Sequence, residues 1–384
     1  MKILGVNTGH DGHICLLEDG KLAFSHEAEK NSGQRYAPVS TKSLIEATLK
    51  YSDDLDAVAI SGWAEGHDPR NAPTDGGYLG LNFESREYKL GQNSLKWTHC
   101  SHELSHIIAS YALSPYADNK IAGGCGLNCE WNRMWEKSGL FDAVFVPPCT
   151  NDTGVGIGAA AATQHNLTGK VKIEWSVYSA QSFIYDIPKN SSVFLEKPLC
   201  LDEVSETLAT GEIVCWVQGN CEIVCWVQGN CEIGPRALGN RSIIAAPFSI
   251  ETTEKLNIIK ERERYRPIAP ICIEEDAGIY FEGCVKSKYM LSFYNVIDRK
   301  LRAITHIDGT ARVQTVTAVD NPAMYDLLSA FKTHSGVGVL CNTSLNFKGR
   351  GFINSHSDIE AFCLQNGIST YVINQNMYRK AKAS

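Results

Sequence analysis

The fold class is decided by two glycine-rich stretches, IAGGCGLNCEWNRMW at residues 121–135 and NDTGVGIGAAAAT at residues 151–163. The first stretch predicts a short apolar strand, a glycine loop and a helix. The second runs from a glycine loop directly into an alanine-rich helix. Because a succession of strand, glycine turn and helix is typical of α/β proteins, we expect an α/β fold.

The sequence before these stretches predicts further strands and helices. In chain order they are a strand-turn-strand hairpin within residues 1–20, a helix at residues 38–50 capped by Ser40 or Thr41, a strand at residues 57–61, a long loop region at residues 64–96 and a helix at residues 102–113. A polar stretch near residues 163–195 separates this half from a second α/β region.

The composition is that of an ordinary globular protein, with 384 residues, 43% hydrophobic and 21% charged. The net charge of −7 disfavours a strongly basic nucleic-acid binder. No apolar run approaches the roughly 20 residues that a membrane helix needs, so no membrane partner is expected. The N-terminus lacks the pattern of a signal peptide, and the 14 Cys form no CxxC pair. We therefore expect a cytoplasmic protein with reduced thiols.

The sequence contains one exact internal repeat, in which EIVCWVQGNC at residues 212–221 recurs at residues 222–231. A repeat of this size is too short for a solenoid unit. The second copy joins the segment GPRALGNRS at residues 234–242 directly. One copy fits a buried strand that enters this segment, and we take the second copy as the functional one, while the sequence leaves open which copy is structural.

HELSH at residues 102–106 matches the HExxH pattern of zinc metallopeptidases. His102 and His106 would share one helix face and could bind a metal ion, with Asp152 as a further ligand. The alternatives at this stage are a zinc metallopeptidase, two histidines that serve only the helix, and an Asp152 that caps the following helix.

Two glycine turns could bind an anion or a nucleotide through backbone N–H groups. One is GHDG at residues 9–12, and the other includes Gly123, Gly124 and Asn128. Neither matches GxGxxG or the P-loop pattern, so each is a weak signal alone. A nucleotide-binding module without catalysis is therefore a third class of function to consider.

The second half gathers Arg, Lys, Ser and Asn in short polar segments of an acidic protein. Because Arg matches phosphate oxygens with two parallel hydrogen bonds, this pattern predicts a polyphosphate pocket. Its candidate residues are Arg236, Arg241, Ser242, Lys260, Arg262, Arg266, Arg312, Asn342, Ser344 and Asn346.

Taken in order, these segments resemble the NodU/CmcH family of O-carbamoyltransferases, whose members tailor nodulation factors and antibiotics. The segments that carry the resemblance are GHDG, SHELSH, GGCGLNC, NDTGVGIGAA, GPRALGNRS, KERERYRPIAPI, ARVQTV and NTSLNFKG. The resemblance implies an ASKHA-like (TsaD-type) N-terminal domain at residues 1–170 and a YrdC-like α/β C-terminal domain at residues 171–384.

The family implies two half-reactions. The YrdC-like domain joins ATP and carbamoyl phosphate into carbamoyl adenylate, with Mg²⁺ accompanying the nucleotide, and Arg236 is central to this step. The other domain transfers the carbamoyl group to a hydroxyl, using Fe²⁺ or another divalent metal held by His102, His106 and Asp152. His13 is an additional candidate for general base, the alternative being a surface histidine.

The chain also departs from the family pattern. A long segment that family members carry between the histidine helix and the GG loop is missing, because Tyr116 is followed almost at once by Ile121. Two acceptors are expected with equal weight: a hydroxymethylated nucleobase in DNA, such as 5-hydroxymethylcytosine, and a hydroxyl of a sugar or antibiotic. The sequence leaves the oligomeric state open.

Overall fold

The computed structural model describes residues 1–51, 55–62, 83–90, 93–116, 124–186, 188, 193–209 and 223–381. The chain divides into two compact units. Unit 1 comprises residues 1–181, 232–235 and 349–351, and unit 2 comprises residues 182–231, 236–348 and 352–384. Both units combine helices with a mixed sheet, which confirms the predicted α/β class. The domain boundary at residue 170 stays a prediction.

Unit 1 is built on a six-stranded sheet with the order β3-β2-β1-β4-β6-β5. Its strands are β1 (Lys2–Asn7), β2 (His13–Glu18), β3 (Lys21–Glu27), β4 (Ala57–Ser61), β5 (Phe83–Leu90) and β6 (Asn93–Cys100). β1 to β3 form an antiparallel meander, whereas β1, β4 and β6 run parallel. The predicted hairpin and the strand at residues 57–61 are confirmed.

The predicted loop at residues 64–96 is wrong where the structure describes it. Residues 83–90 and 93–100 pair as an antiparallel hairpin. FESREYKL is polar and lacks clear apolar alternation, so its strand conformation comes from pairing with β6 rather than from its own pattern. Residues 63–82 and 91–92 of the predicted loop lie outside the described residues.

Five α-helices accompany this sheet in the described part of unit 1: α1 (Ala28–Ser32), α2 (Thr41–Tyr51), α3 (His102–Leu113), α4 (Cys129–Lys137) and α5 (Val155–Thr168). The hydroxyl of Ser40 accepts a hydrogen bond from the Ser43 N–H at 3.0 Å, as expected of a cap for α2. The predicted helices at residues 38–50 and 102–113 are thus confirmed. The predicted strand at residues 121–122 lies outside the described residues.

The alanine-rich helix α5 packs closely against both α3 and β1. A Cβ atom at Gly158 would lie 1.8 Å from the carbonyl oxygen of Ser105 on α3. A Cβ atom at Gly5 of β1 would lie 2.3 Å from the carbonyl oxygen of Gly156 on α5. Glycine at these positions lets the three elements approach each other. This packing fixes α3 relative to the turn that precedes α5.

Unit 2 contains an eight-stranded sheet with the order β13-β10-β14-β9-β8-β15-β16-β7. The strands of unit 2, including the separate pair β11 and β12, are β7 (Phe194–Pro198), β8 (Ile223–Val227), β9 (Arg241–Ala245), β10 (Ala269–Ile273), β11 (Tyr294–Asn295), β12 (Thr310–Ala311), β13 (Gln314–Val316), β14 (Val339–Ser344), β15 (Thr370–Ile373) and β16 (Asn376–Lys380). Its helices are α6 (Leu201–Ala209), α7 (Ile250–Ile259), α8 (Ala277–Tyr280), α9 (Pro322–Ser335) and α10 (His356–Asn366).

The second copy of the repeat forms β8, between β9 and β15 in the middle of this sheet. Val224 and Cys225 are both fully buried, in core clusters on opposite faces of the sheet. A strand with two buried faces is apolar throughout, which explains the IVCWV pattern. In the described residues the second copy therefore provides a buried strand next to GPRALGNRS, and the first copy lies outside the described residues.

None of the helices in the described part of the chain combines the length and apolar character that crossing a membrane requires.

Candidate active site

Three side chains predicted to bind a metal meet in unit 1. His102 and His106 lie one turn apart on α3, and Asp152 lies in a short 3₁₀ turn just before α5. The Nε2 atom of His106 lies 3.1 Å from the Nε2 atom of His102 and 3.2 Å from the Oδ1 atom of Asp152. The Nε2 atom of His102 lies 3.4 Å from the same oxygen. One ligand atom from each residue therefore lies within 4.8 Å of the others.

The charges of this cluster favour an ionised carboxylate. Burial opposes the ionisation of Asp152, but hydrogen bonds from His102 and His106 outweigh it and hold the pKa of this carboxyl well below its usual range. The hydrogen bond to Asp152 in turn raises the pKa of His102. The three side chains are 14–29% exposed. Asn151 and Gly154 occupy the cap positions of the turn and of α5, so Asp152 is not the helix cap.

The end of β1 and the turn that follows it bring the side chains of Asn7, His10 and Asp11 close to this cluster. The amide nitrogen of Asn7 donates to the backbone oxygens of His10, Asp11 and Asp152 at 3.1–3.3 Å. The Oδ2 atom of Asp11 accepts a hydrogen bond from Asn151 at 3.3 Å and lies 3.4 Å from the Nδ1 atom of His10. That nitrogen lies 3.9 Å from the Oδ2 atom of Asp152. Asn7 thus ties the turn to the Asp152 segment.

Asp11 is a candidate functional residue that the sequence prediction missed. Its side chain is only 6% exposed, and burial raises its pKa, opposed by the hydrogen bond from Asn151. Its backbone has a φ of +53°, a left-handed conformation that Asp tolerates better than most residues. The GHDG turn was considered only because of its glycines. The acidic residue between these glycines is the feature from which Asp11 could have been predicted.

The structure does not fit the predicted role of His13 as general base. His13 is completely buried, and its Nε2 atom lies 2.7 Å from the hydroxyl oxygen of Ser25. A Cβ atom at Gly156 would lie 2.6 Å from the Nδ1 atom of His13, so α5 covers the ring. An imidazole enclosed in this way does not reach an acceptor hydroxyl. The alternative, a surface histidine, is wrong.

We expect His13 to make the stability of the protein depend on pH. Burial lowers the pKa of His13 from 6.5 to about 3. Between these values the unfolded chain binds a proton that the folded chain does not, so the free energy of unfolding falls as the pH falls below 6.5. From pH 7 to pH 5 the loss from this group is about 2 kcal/mol.

Urea unfolding at both pH values, on the natural chain and on His13→Asn, measures this difference. The variant should lose about 2 kcal/mol less between pH 7 and pH 5, because the other titrating groups are common to both proteins. Equal losses in the two proteins would contradict the assignment.

The predicted nucleotide loop near residue 124 is described only in part. Gly123 lies outside the described residues, and Gly124 opens a 3₁₀ helix over residues 124–127. The Oδ1 atom of Asn128 accepts the N–H groups of Glu130 and Trp131 at 3.1 and 3.2 Å. The side-chain oxygen of Asn128 therefore caps α4. Nucleotide binding by this loop stays a prediction.

In unit 2, Arg241 does not fit its predicted role as a phosphate ligand. Its side chain is fully buried on the central strand β9. The guanidinium donates to the backbone oxygens of Gln228, Gly229 and Asn240 at 2.8–3.0 Å, and twice to the Oδ1 atom of Asn354, at 2.8 and 3.0 Å. These five hydrogen bonds use the five N–H groups of arginine. The hydrogen bonds of Arg241 instead stabilise the packing of β9 against the neighbouring loops of unit 2.

Three of the predicted activation residues do meet. Lys260 follows the end of α7, and its Nζ atom lies 2.6 Å from the backbone oxygen and 3.2 Å from the hydroxyl oxygen of Ser344. The same ammonium donates to the Oδ1 atom of Asn346. The Ser344 hydroxyl in turn donates to this amide oxygen at 2.6 Å. The arrangement places a cation beside two polar side chains at the end of β14.

Asn342 and its partner Gln314 are hydrogen-bonded to the backbone of the segment GPRALGNRS. Its amide nitrogen donates to the backbone oxygen of Ala237 at 3.1 Å and to the Oε1 atom of Gln314 at 2.9 Å. Gln314 donates to the backbone oxygen of Leu238 at 2.8 Å. Both amides are almost completely buried. Gln314 was missed by the sequence prediction because only its neighbour Arg312 carries a charge.

The remaining predicted activation residues differ from one another in burial and in their partners. Arg262 donates to the Oδ1 atom of Asn257 at 2.5 Å, and burial lowers its pKa. Arg266 is exposed and pairs with Glu263 at 2.7 Å. Ser242 is buried and its hydroxyl accepts the N–H of Gly239 at 3.2 Å. Two arginines are half-buried, Arg236 and Arg312.

Two family models match the chain. "Carbamoyltransferase C-terminus" matches residues 220–380, and "Carbamoyltransferase N-terminus" matches residues 117–161. The first therefore covers most of unit 2, and the second covers Asp152 and the start of α5 in unit 1.

Curated relatives carry consistent names. A 3'-hydroxymethylcephem-O-carbamoyltransferase of Amycolatopsis lactamdurans is 49% identical over 529 aligned positions, covering 100% of both chains. The alignment is longer than this chain and therefore contains gaps opposite it. The enzyme of the same name from Streptomyces clavuligerus is 46% identical over 69% of this chain and 49% of its own. Nodulation protein U of Sinorhizobium fredii is 36% identical over 73% of this chain and 48% of its own.

The similarity to the Amycolatopsis relative runs from end to end, and the two family models lie in their expected order along the chain. The chain therefore belongs to the carbamoyltransferase family and is a carbamoyltransferase.

Proposed function

We propose that this chain is an ATP-dependent O-carbamoyltransferase that modifies a hydroxymethyl group on a small natural product. The carbamoyl group would come from carbamoyl phosphate through carbamoyl adenylate. One observation carries the proposal: in a chain of this family, His102, His106 and Asp152 converge beside the buried carboxylate of Asp11. The names of two relatives, both 3'-hydroxymethylcephem-O-carbamoyltransferases, support the class of acceptor.

The cluster on α3 fits a divalent metal ion. Two imidazole nitrogens and one carboxylate oxygen lie within 4.8 Å of one another, and the carboxylate is held in its ionised form. Two histidines and one carboxylate are a ligand set suited to Fe²⁺ and also to Zn²⁺. When bound, such an ion acts as a Lewis acid that polarises a carbonyl oxygen. His102, His106 and Asp152 would hold it.

Asp11 is our candidate for the general base, in place of His13. An acceptor hydroxyl is a weak nucleophile until a base takes its proton. Burial raises the pKa of Asp11, which makes its carboxylate a stronger base than an exposed one. The hydrogen bond from Asn151 orients the carboxylate. The side chain of Asp11 is 6% exposed and lies 3.4 Å from the Nδ1 atom of His10, which is itself 61% exposed.

We propose that unit 2 is the YrdC-like domain and performs the activation step. Unit 1 is then the ASKHA-like domain and performs the transfer step. Carbamoyl phosphate and one water would give carbamate and phosphate, and attack of a carbamate oxygen on the α-phosphorus of ATP would give carbamoyl adenylate and release pyrophosphate. The negative charge that develops needs cations, including Mg²⁺. Lys260 beside Ser344 and Asn346 supports this role. Arg236, Arg262 and Arg312 complete the proposed set, without Arg241.

The test is the release of pyrophosphate from ATP by the purified full chain without acceptor, measured with and without carbamoyl phosphate. We expect release that depends on carbamoyl phosphate, since adenylate formation precedes transfer. No dependence on carbamoyl phosphate would contradict the activation step. An acceptor screen then compares a hydroxymethylcephem, a hydroxymethylated DNA duplex and free sugars.

The same samples test the alternative functions. Binding of ATP without turnover would indicate a nucleotide-binding module. Peptide hydrolysis that needs no ATP and is lost in Glu103→Gln would indicate a metallopeptidase, which family membership disfavours.

A further inference from the structure

Two exposed aromatic rings lie beside the candidate active site of unit 1. The rings of His10 and Tyr36 are stacked, with centroids 4.8 Å apart and planes inclined by 15°. The side chain of His10 is 61% exposed, and Tyr36 is 54% exposed. Aromatic rings gain free energy from removing apolar surface from water, and an exposed stacked pair keeps a face on which another ring can stack. This pair presents its surface to solvent.

The backbone holds this pair in place. The N–H group of Gly12 donates to the backbone oxygen of Ala37 at 2.8 Å. A Cβ atom at Gly12 would lie 2.2 Å from the backbone nitrogen of Val39, so only glycine permits this contact. The β1–β2 turn, which carries His10, is thereby locked to the segment that carries Tyr36. The two segments that carry the rings are therefore fixed relative to each other by backbone contacts.

Tyr36 also has a backbone conformation that costs free energy. Its φ is +61°, in the left-handed region that a bulky residue rarely adopts. Such conformations persist where surrounding contacts impose them, and they cluster at ligand-binding sites. The N–H of Tyr36 donates to the Oε2 atom of Glu29 at 3.4 Å. The strain is retained although the ring gains no buried position from it.

The pair lies next to the groups that the transfer step requires. The Nδ1 atom of His10 lies 3.4 Å from the Oδ2 atom of Asp11 and 3.9 Å from that of Asp152. The exposed guanidinium of Arg35 lies 5.8 Å from the centre of the Tyr36 ring. The surface beside the carboxylates therefore offers an imidazole, a phenol ring and a cation, and the charge of that cation also acts on Asp11.

We propose that His10, Tyr36 and Arg35 form the binding platform for the acceptor. The acceptor class is an unsaturated ring that bears a hydroxymethyl group and a carboxylate. The ring would stack on the exposed aromatic surface, and the carboxylate would pair with Arg35. The hydroxymethyl group would then lie on the side of Asp11 and Asp152. This inference rests on the proposed function and adds the residues that select the acceptor.

Calorimetric titration with a 3'-hydroxymethylcephem carboxylate tests the platform without turnover. Tyr36→Ala should raise Kd about ten-fold, whereas Tyr36→Phe, which keeps the ring, should stay within about two-fold. Tyr36→Gly accepts the left-handed backbone without strain, so its loss of affinity would be due to the ring alone. Arg35→Ala should weaken binding of the carboxylate and leave its methyl ester unaffected.

The matched control is Trp131→Ala, which removes a 51% exposed aromatic ring from α4 of the same unit. It should bind the cephem as the natural chain does. Unchanged affinity in both Tyr36→Ala and Tyr36→Gly would overturn the platform. Binding of 5-hydroxymethyldeoxycytidine in preference to the cephem would overturn the acceptor class. Pyrophosphate release is measured separately, so its failure concerns the proposed function and not the platform.

Discussion

His106→Ala should abolish carbamoyl transfer while pyrophosphate release that depends on carbamoyl phosphate continues. The substitution removes the nitrogen that lies within 3.2 Å of both His102 and Asp152. A site with two of three ligands holds a metal ion weakly, so its stabilisation of charge is lost. We expect transfer to fall by roughly a hundred- to a thousand-fold, the range for losing one such electrostatic group.

The converse variant is Arg236→Ala, which should stop pyrophosphate release and thereby transfer as well. His165→Ala removes an exposed histidine from the last turn of α5 and is the matched control. Both steps are measured on the same preparations, with the acceptor added last. If transfer survives in His106→Ala, the assignment of the metal site is wrong.

Arg241→Met should lower the free energy of unfolding by at least about 3 kcal/mol. Methionine fills part of the volume but donates no hydrogen bond. The backbone oxygens of Gln228 and Asn240 and the side chain of Asn354 are buried and would lose the hydrogen bonds that Arg241 donates, although Asn240 and Asn354 each keep a second donor. Each unsatisfied buried acceptor costs about 1–3 kcal/mol, although such costs do not add fully.

Denaturant unfolding of the natural chain, Arg241→Met and Arg266→Ala measures this effect. Arg266 is exposed and pairs with Glu263 on the surface, so its loss should cost less than about 1 kcal/mol. If Arg241→Met were as stable as the natural chain but failed to bind ATP, Arg241 would be a phosphate ligand after all.

The contrast between these two sites shows what the sequence can predict. HExxH places His102 and His106 on one helix face by spacing alone, and Asp152 stands at the start of a clearly predicted helix. Most residues of the candidate transfer site could therefore be predicted from the periodicity of the helices. GPRALGNRS contains two arginines, Arg236 and Arg241, and the local sequence does not distinguish a phosphate ligand from a buried structural residue. Only the pairing of β9 between β8 and β14 turns Arg241 into the interior.

Non-local pairing also explains the other errors. β5 became a strand through its partner β6, although its residues predict a loop. His13 looked accessible beside a glycine turn, but α5, which follows much later in the chain, covers it. Burial raises the pKa of Asp11, and its hydrogen-bond partner Asn151 lies 140 residues away in the sequence. In each case a distant segment supplies the environment, and local sequence patterns do not contain it.

The position of the repeat has a genetic consequence. β8 lies in the second of two identical tandem blocks of sequence, so deletion of either block yields the same protein. That shorter protein would keep every residue of β8 and of GPRALGNRS, and would join α6 to β8 through Thr210, Gly211 and Glu222 alone. Replication slippage could thus restore the single-copy gene in one event.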